Sequence, residues 1–278
     1  MLRFSLLAAT AFWRPLRQAL CGLALAGAAA VAHAVTPLMI WPVDPVITEG
    51  NSAVAVWIEN RGASPVSLQV RVLGWSQLNG EETLVPQKAV VPSPPISVIP
   101  PGKRQMVRLV AMQPLANGLE AAYRVLVDEL PPPADQAPAE SDTQQAGMGI
   151  RLKVRYAIPL FVYGGDARPF RPNRVSHPFT EGTPLPPALT WRTEKNGNRP
   201  RFVVRNAGRG HARITAVRWG SARATPLAAL DASINEGLMG YVLPQSEMAW
   251  DLPAPPPAEP VLKATINGED TQIPRGEE

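Results

Sequence analysis

The chain has 278 residues, with 27 Lys and Arg against 23 Asp and Glu, three His, one Cys and 32 Pro. Two domains of ordinary size fit in that length, and so small a basic excess argues against a dedicated polyanion binder. Proline at about twice its usual frequency of roughly 5% excludes an architecture of long helices, and a single cysteine excludes a disulfide scaffold.

Residues 1–34, MLRFSLLAATAFWRPLRQALCGLALAGAAAVAHA, have the layout of a secretory signal. Arg3, Arg14 and Arg17 precede an apolar run from Ala19 to Ala32, and Ala32-His33-Ala34 closes it as a small-x-small cleavage site. A membrane anchor is the competing reading, but the run is shorter than the roughly 20 apolar residues of a spanning helix, so no stable membrane insertion is expected. Cleavage removes Cys21, whose flank lacks the small residue of a lipoprotein signal, and it removes three cations and no acid. The exported chain then begins near Val35, is close to neutral, and must be held together by its own core.

From Val35 onward the pattern is one of short alternating runs bounded by Pro, Gly and Asn. Val54, Val56 and Ile58 alternate up to Glu59-Asn60-Arg61-Gly62, and Val66, Leu68, Val70 and Val72 alternate after it, which predicts an antiparallel pair with one buried face. Asn79-Gly80 and Pro100-Pro101-Gly102 predict tight turns, and RQMVRLVA and AAYRVLVDEL predict two further strands. Pro131 to Gly149 has little to bury and reads as a mobile insert.

The next stretch, GIRLKVRYAIPLFVYGG, places Ile150, Leu152, Val154, Tyr156, Ile158, Leu160 and Val162 on one parity, while Arg151, Lys153 and Arg155 begin the other. Extended from Ile150 to Tyr163 it would reach about 46 Å, more than twice the usual strand of about 5 to 6 residues. Gly164-Gly165 and RPFRPN mark an interdomain joint. Leu189 to Arg192, Arg201 to Arg205, Ala212 to Trp219 and Val261 to Ile266 predict a second set of strands. The expected fold is all-β, with two sandwiches over residues 35–163 and 164–278.

Nothing converges on catalysis, and no catalytic residue, metal site or cofactor is expected. Zinc needs three or four ligands, whereas the exported chain offers His177 and His211, which read as surface or turn histidines. Gly208-Arg209-Gly210 lacks the third glycine of a dinucleotide loop and predicts a hairpin turn. Ser76 lacks the closing glycine of a nucleophile elbow. Seven arginines between Arg199 and Arg223 interleave with Phe202, Val204, Ile214 and Val217, as on a solvated sheet face. Nucleic acid is disfavoured by export and near-neutral charge, while a carbohydrate or anionic surface stays open.

Several segments together resemble the periplasmic chaperones of the chaperone-usher pathway: VSLQVRVLGWSQLNGEE, SPPISVIPPGKRQMVRL, LANGLEAAYRVLVDELPPP and GIRLKVRYAIPLFV. The second half matches more loosely, through VVRNAGRGHARI and GLMGYVLP, and Ile158-Pro159 is closer to the archaic, spore-coat-like branch. The resemblance implies an L-shaped pair of immunoglobulin-like domains in the periplasm. It also implies a long strand lent to pilus subunits that lack their last strand, with delivery to an outer-membrane usher.

On that reading Ile150, Leu152, Val154, Tyr156 and Ile158 are the subunit-binding residues. The alternative is that they complete the chain's own core, as in a secreted immunoglobulin-like surface or carbohydrate-binding module. The family's two basic residues for the subunit's terminal carboxylate are not carried over: WPVDPVITEG has Asp44 and Pro45 at the first, and Pro159 stands at the second. Arg155 is the substitute candidate, with solubility as its plain role.

Overall fold

The computed structural model describes residues 38–131, 154–172, 181–197, 199–221, 232–257 and 260–276. Among them every regular element is a strand. The first ten are β1 (Leu38–Trp41), β2 (Val46–Ile47), β3 (Ala53–Asn60), β4 (Val66–Leu78), β5 (Glu81–Pro86), β6 (Val90–Ser93), β7 (Ile96–Ile99), β8 (Arg104–Ala111), β9 (Glu120–Leu130) and β10 (Arg155–Tyr163). They make two sheets, one in the order β1-β3-β8-β6 and the other in the order β2-β10-β9-β4-β5, with β7 also on β4. One parity of each strand fills the space between the sheets. Val56 and Ile58 of β3, Val66 to Val72 of β4, Val125 and Val127 of β9, and Ile158, Leu160 and Val162 of β10 share one core. Each such side chain contributes roughly 1.5 to 3 kcal/mol when fully buried.

The expected pairing of β3 with β4 is not what forms. β3 pairs with β1 and β8, and β4 pairs with β5, β7 and β9, so Glu59 to Gly62 carries the chain from one sheet to the other. The buried Asn60 side chain makes that crossing possible. Its Nδ2 donates to Ser64 O at 2.8 Å and Ile99 O at 2.9 Å, and its Oδ1 accepts from Gly62 N at 2.8 Å. Alternation told which face is buried; it could not tell which strand lies alongside. The Asn79-Gly80 turn forms as expected, closing β4 onto β5 between Leu78 and Glu81 with φ of 55° and 79° at its two residues.

The remaining strands are β11 (Ala167–Pro169), β12 (Thr183–Leu185), β13 (Leu189–Asn196), β14 (Arg199–Asn206), β15 (Ala212–Ser221), β16 (Ala232–Val242), β17 (Ser246–Asp251), β18 (Pro260–Ile266) and β19 (Glu269–Ile273). A β13-β14-β17 sheet packs on a β16-β15-β18-β19 sheet through Trp191, Phe202, Val204, Ile214, Trp219 and Leu262. Gly208 to Gly210 joins these two sheets and is not the expected hairpin, for the reason already met at Asn60. Buried Asn206 donates to Gly210 O at 2.8 Å and Val242 O at 3.1 Å and accepts from Gly208 N at 2.9 Å and Ala188 N at 3.0 Å. Truncating either asparagine strands buried backbone groups, so Asn60→Ala and Asn206→Ala are each expected to lower unfolding free energy by about 2 kcal/mol in denaturant titrations. A loss of a few tenths would show that water or relaxed turns replace them.

Only part of the long alternating strand can be compared with expectation. β10 is nine residues long. Val154 directly precedes it and is half-buried. Ile150 and Leu152 lie outside the described residues.

Candidate functional site

β10 serves two neighbours at once because its two parities face different ways. The even residues enter the sandwich core, whereas Phe161 and Tyr163, on the other face, meet Trp75 of β4 and Leu185, Tyr241 and Leu243 from the second set of strands in a separate cluster. The Gln77 amide binds this junction as a strand backbone would: its Nε2 donates to Tyr241 O at 2.8 Å, and its Oε1 accepts from Leu243 N at 2.8 Å.

Glu120, at the start of β9, is the polar hub of the joint. Its side chain is 1% exposed. One oxygen accepts from His211 N at 3.0 Å; the other accepts from the Tyr163 hydroxyl at 2.6 Å and lies 3.0 Å from His211 Nδ1. The His211 ring stacks on Phe161 with centroids 3.5 Å apart. His211 is therefore a joint residue, not the surface or turn histidine expected. Gly164 closes the same corner: a Cβ there would come within 2.0 Å of Ala116 O.

Burial, then the charge and hydrogen bond of Glu120, push the Tyr163 hydroxyl well above its ordinary value of 10.0. In the unfolded chain the group ionises first as pH rises, so stability present below about pH 10 is lost above it. Tyr163→Phe is expected to flatten the alkaline fall in melting temperature between about pH 9 and pH 11. An identical fall in the variant would place that titration elsewhere.

This joint forms the floor of a cleft of about 920 Å³. Two open strand edges stand on its walls. Among the described residues β1 ends the four-stranded sheet, and β2 covers β10 only at Phe161 and Val162, which leaves β10 without a described partner on that side from Arg155 to Leu160. Phe161 N donates toward Pro45 O at 3.3 Å, so the backbone groups of Ala157 and Arg155, two and three steps back on that parity, also point to the open side. Pro159 stands on the same parity. It gives up no bond to β9, as the edge reading of this proline requires.

The predicted site residues divide along this strand. Tyr156 is half-buried against the core and lines the cleft. Ile158 is 6% exposed and packs into the sandwich's own core, while it also lines the cleft. Arg155 does not line the cleft. Its side chain is 61% exposed, and its Nε contacts Asp128 Oδ1 across the strand pair. Partial burial raises the Asp128 carboxyl, but hydrogen bonds from Arg155 and from Arg71, at 2.7 Å, outweigh it and hold the group below its ordinary range.

Two arginines missed as site candidates stand beside the positions where basic residues were absent. Asp44 accepts from Arg171 at 2.6 Å, which brings a guanidinium to the cleft wall near β1. Pro159 is the cross-strand partner of Arg124, whose side chain is 13% exposed, lies 3.5 Å over the Trp75 ring and donates to Glu82 at 2.8 Å. Arg124 was visible only as part of a motif, because nothing in a one-dimensional pattern shows that it faces Pro159. Three arginines of the arginine-rich stretch are held by separate partners. Arg201 sits 3.9 Å from Glu194, Arg209 donates to Gly118 O at 2.6 Å, and Arg218 reaches Asp270 at 3.4 Å.

Two jointed β-sandwich domains with unpaired strand edges along their shared cleft define a protein built to bind by strand pairing. Residues 40–164 match the family of pili and flagellar-assembly chaperones, PapD N-terminal domain. Among solved structures, the chain is similar to the CsuC–CsuE chaperone–tip adhesion pre-assembly complex from archaic chaperone-usher Csu pili of Acinetobacter baumannii, with 25% identity and TM-score 0.63 over 87% of this chain and 100% of that one. It shares its fold with the E. coli chaperone DraB, at 17% identity and TM-score 0.51 over 87% and 98% of the two chains. The Salmonella enterica SafA pilin–SafB chaperone complex gives 14% identity and TM-score 0.53 over 87% and 97%. No curated protein sequence matches. Through the domain model over residues 40–164 and the shared fold, the chain is similar to the pilus-assembly chaperones of the chaperone-usher pathway, a non-enzymatic class.

Proposed function

We propose that the chain is exported through the signal in residues 1–34, that its two domains span 35–163 and 164–278, and that it holds pilus subunits in the periplasm for an outer-membrane usher. The observation that carries this reading is the unpaired edge of β10, exposed at Arg155 and Ala157 beside a cleft. An incomplete sandwich gains a full ladder of main-chain bonds by pairing there, with little demand on its sequence. Ile150, Leu152 and Val154 then supply side chains to the subunit's groove, and Tyr156 marks where the strand passes from the partner's core to its own.

Capture of the subunit's terminal carboxylate has two candidates. Arg155 can exchange Asp128 for the incoming group at small cost, because Arg71 continues to hold Asp128. Arg124 is better placed, since it already lines the cleft, and the aromatic ring beneath it fixes its plane. The test of the whole reading is co-purification from the periplasm: a small subunit, unstable alone, is expected in a one-to-one complex with the chaperone. Recovery of the chain outside the cell and without such a partner would support a surface module instead.

A further inference from the structure

Arg124 and Arg171 line the cleft, and each already holds a carboxylate of this chain. Arg171 donates to Asp44 at 2.6 Å, and Arg124 donates from Nη2 to Glu82 Oε1 at 2.8 Å. The two acids are placed differently. Asp44 is part of the cleft wall, whereas Glu82 lies outside the cleft lining, on β5 opposite Gln77 of β4. β5 is exposed along its whole length, and the Glu82 side chain is 36% exposed. Arg124 is far more enclosed, with its guanidinium 3.5 Å over the Trp75 ring and 5.6 Å from the Tyr241 ring. A cation so placed is costly to leave unpaired. Among the described residues, Glu82 is the carboxylate that pairs with it. A glutamate side chain has the chemistry of a chain terminus, so this bond is that of Arg124 receiving such a group.

We propose that Glu82 is an internal competitor for the subunit's terminal carboxylate: it occupies Arg124 in the free chaperone, yields it when a subunit enters the cleft, and returns as the subunit leaves. The inference rests on the reading above in which Arg124 receives that carboxylate. Displacement costs Glu82 little, because a half-exposed side chain on an edge strand turns readily to water. Both acids together on one guanidinium would repel each other in the partly desolvated joint. Glu82 therefore stabilises the empty chaperone and lowers the gain from binding. It also spares Arg124 an unpaired state during handover, which shortens the life of the complex. Asp44 is less suited to such an exchange, since once displaced it would remain in the cleft wall beside the arriving group.

The experiment takes the subunit recovered with the wild-type chaperone and measures its affinity and dissociation rate with wild type, Glu82→Gln, Arg124→Gln and the double variant, beside the melting temperature of each free chaperone. Glu82→Gln keeps the size of the side chain and removes its charge. It is expected to hold the subunit about tenfold more tightly, mostly through slower dissociation, at a nearly unchanged melting temperature. No gain is expected in the Arg124→Gln background, or for a subunit extended by one glycine. Should Glu82→Gln melt well below wild type, Glu82→Asp, whose carboxylate stops short of Arg124, is expected to show a smaller gain in the same direction. Unchanged or weaker binding by Glu82→Gln, with binding weakened in Arg124→Gln, would overturn this inference and leave Arg124 as the carboxylate's partner. An equal gain in the Arg124→Gln background would also overturn it, by showing that Glu82 acts without Arg124. Subunit held as firmly by Arg124→Gln as by wild type would remove the carboxylate reading, and the inference with it.

Discussion

Val154→Asp is expected to lose the subunit and keep its fold, while Ile158→Asp, two turns of the pleat further along the same parity, is expected to do the reverse. Val154 is half-buried and lies outside the core cluster, so a carboxylate there meets water in the free protein and an apolar groove in the complex. Leaving a charge unpaired in such a groove costs several kcal/mol, enough to remove binding in a pull-down. Ile158 packs with Leu160, Val125 and Val127 inside the sandwich. A charge at that position costs more than about 4 kcal/mol of the chain's own stability, a large share of the roughly 5 to 15 kcal/mol of a whole domain. The melting temperature of each variant alone, set beside the subunit each retains, separates the two roles. Leu152→Asp is expected to follow Val154→Asp. A Val154→Asp protein that melts many degrees lower would make Val154 a core residue and withdraw it from the donor set.

The second large effect belongs to Arg124. If its guanidinium receives the subunit's terminal carboxylate, Arg124→Gln removes one partner of a desolvated charge pair and weakens binding by about 2 to 5 kcal/mol. Because Arg124 also rests on Trp75 and bonds Glu82, a general loosening of the joint is the competing explanation. A subunit extended by one glycine, which moves the carboxylate, resolves it. Wild type is expected to bind that subunit as poorly as Arg124→Gln binds the normal one, and the two changes together are expected to add little. Arg155→Ala is the companion variant. A larger loss there than in Arg124→Gln would move the carboxylate site to the outer edge, with Arg71 left to hold Asp128.

Much of this molecule was legible because alternation reports burial directly. Val66, Leu68, Val70 and Val72 of β4 and Ile158, Leu160 and Val162 of β10 lie in the core as the period of two requires, and Asn79-Gly80 makes the turn its residue types favour. Partnership between strands was less legible. Asn60 and Asn206 each end a strand, and in both places the chain crosses between sheets, bonded through the asparagine side chain to distant carbonyls. The shared Asn-x-Gly of ENRG and RNAG was available as a sign that the two turns are of one kind. The binding site was harder still. Ile158 and Val154 share parity and chemistry, and only the sheet's extent tells which one the chain's own core covers. Likewise Glu120, Tyr163 and His211 are far apart in sequence and become one joint only when the domains meet.

The central claim is that the unpaired edge of β10 accepts a strand from the subunit, and the amides of that edge report it residue by residue. The N–H groups of Arg155 and Ala157 face the open side, Pro159 has none, and those of Tyr156, Ile158 and Leu160 face β9. Residue-resolved amide hydrogen exchange, measured on the free chaperone and on the subunit-bound form, is therefore expected to show Arg155 and Ala157 exchanging fast when free and strongly slowed when bound, while Tyr156, Ile158 and Leu160 are protected in both. Unchanged fast exchange at Arg155 and Ala157 in a verified one-to-one complex would contradict strand pairing at this edge.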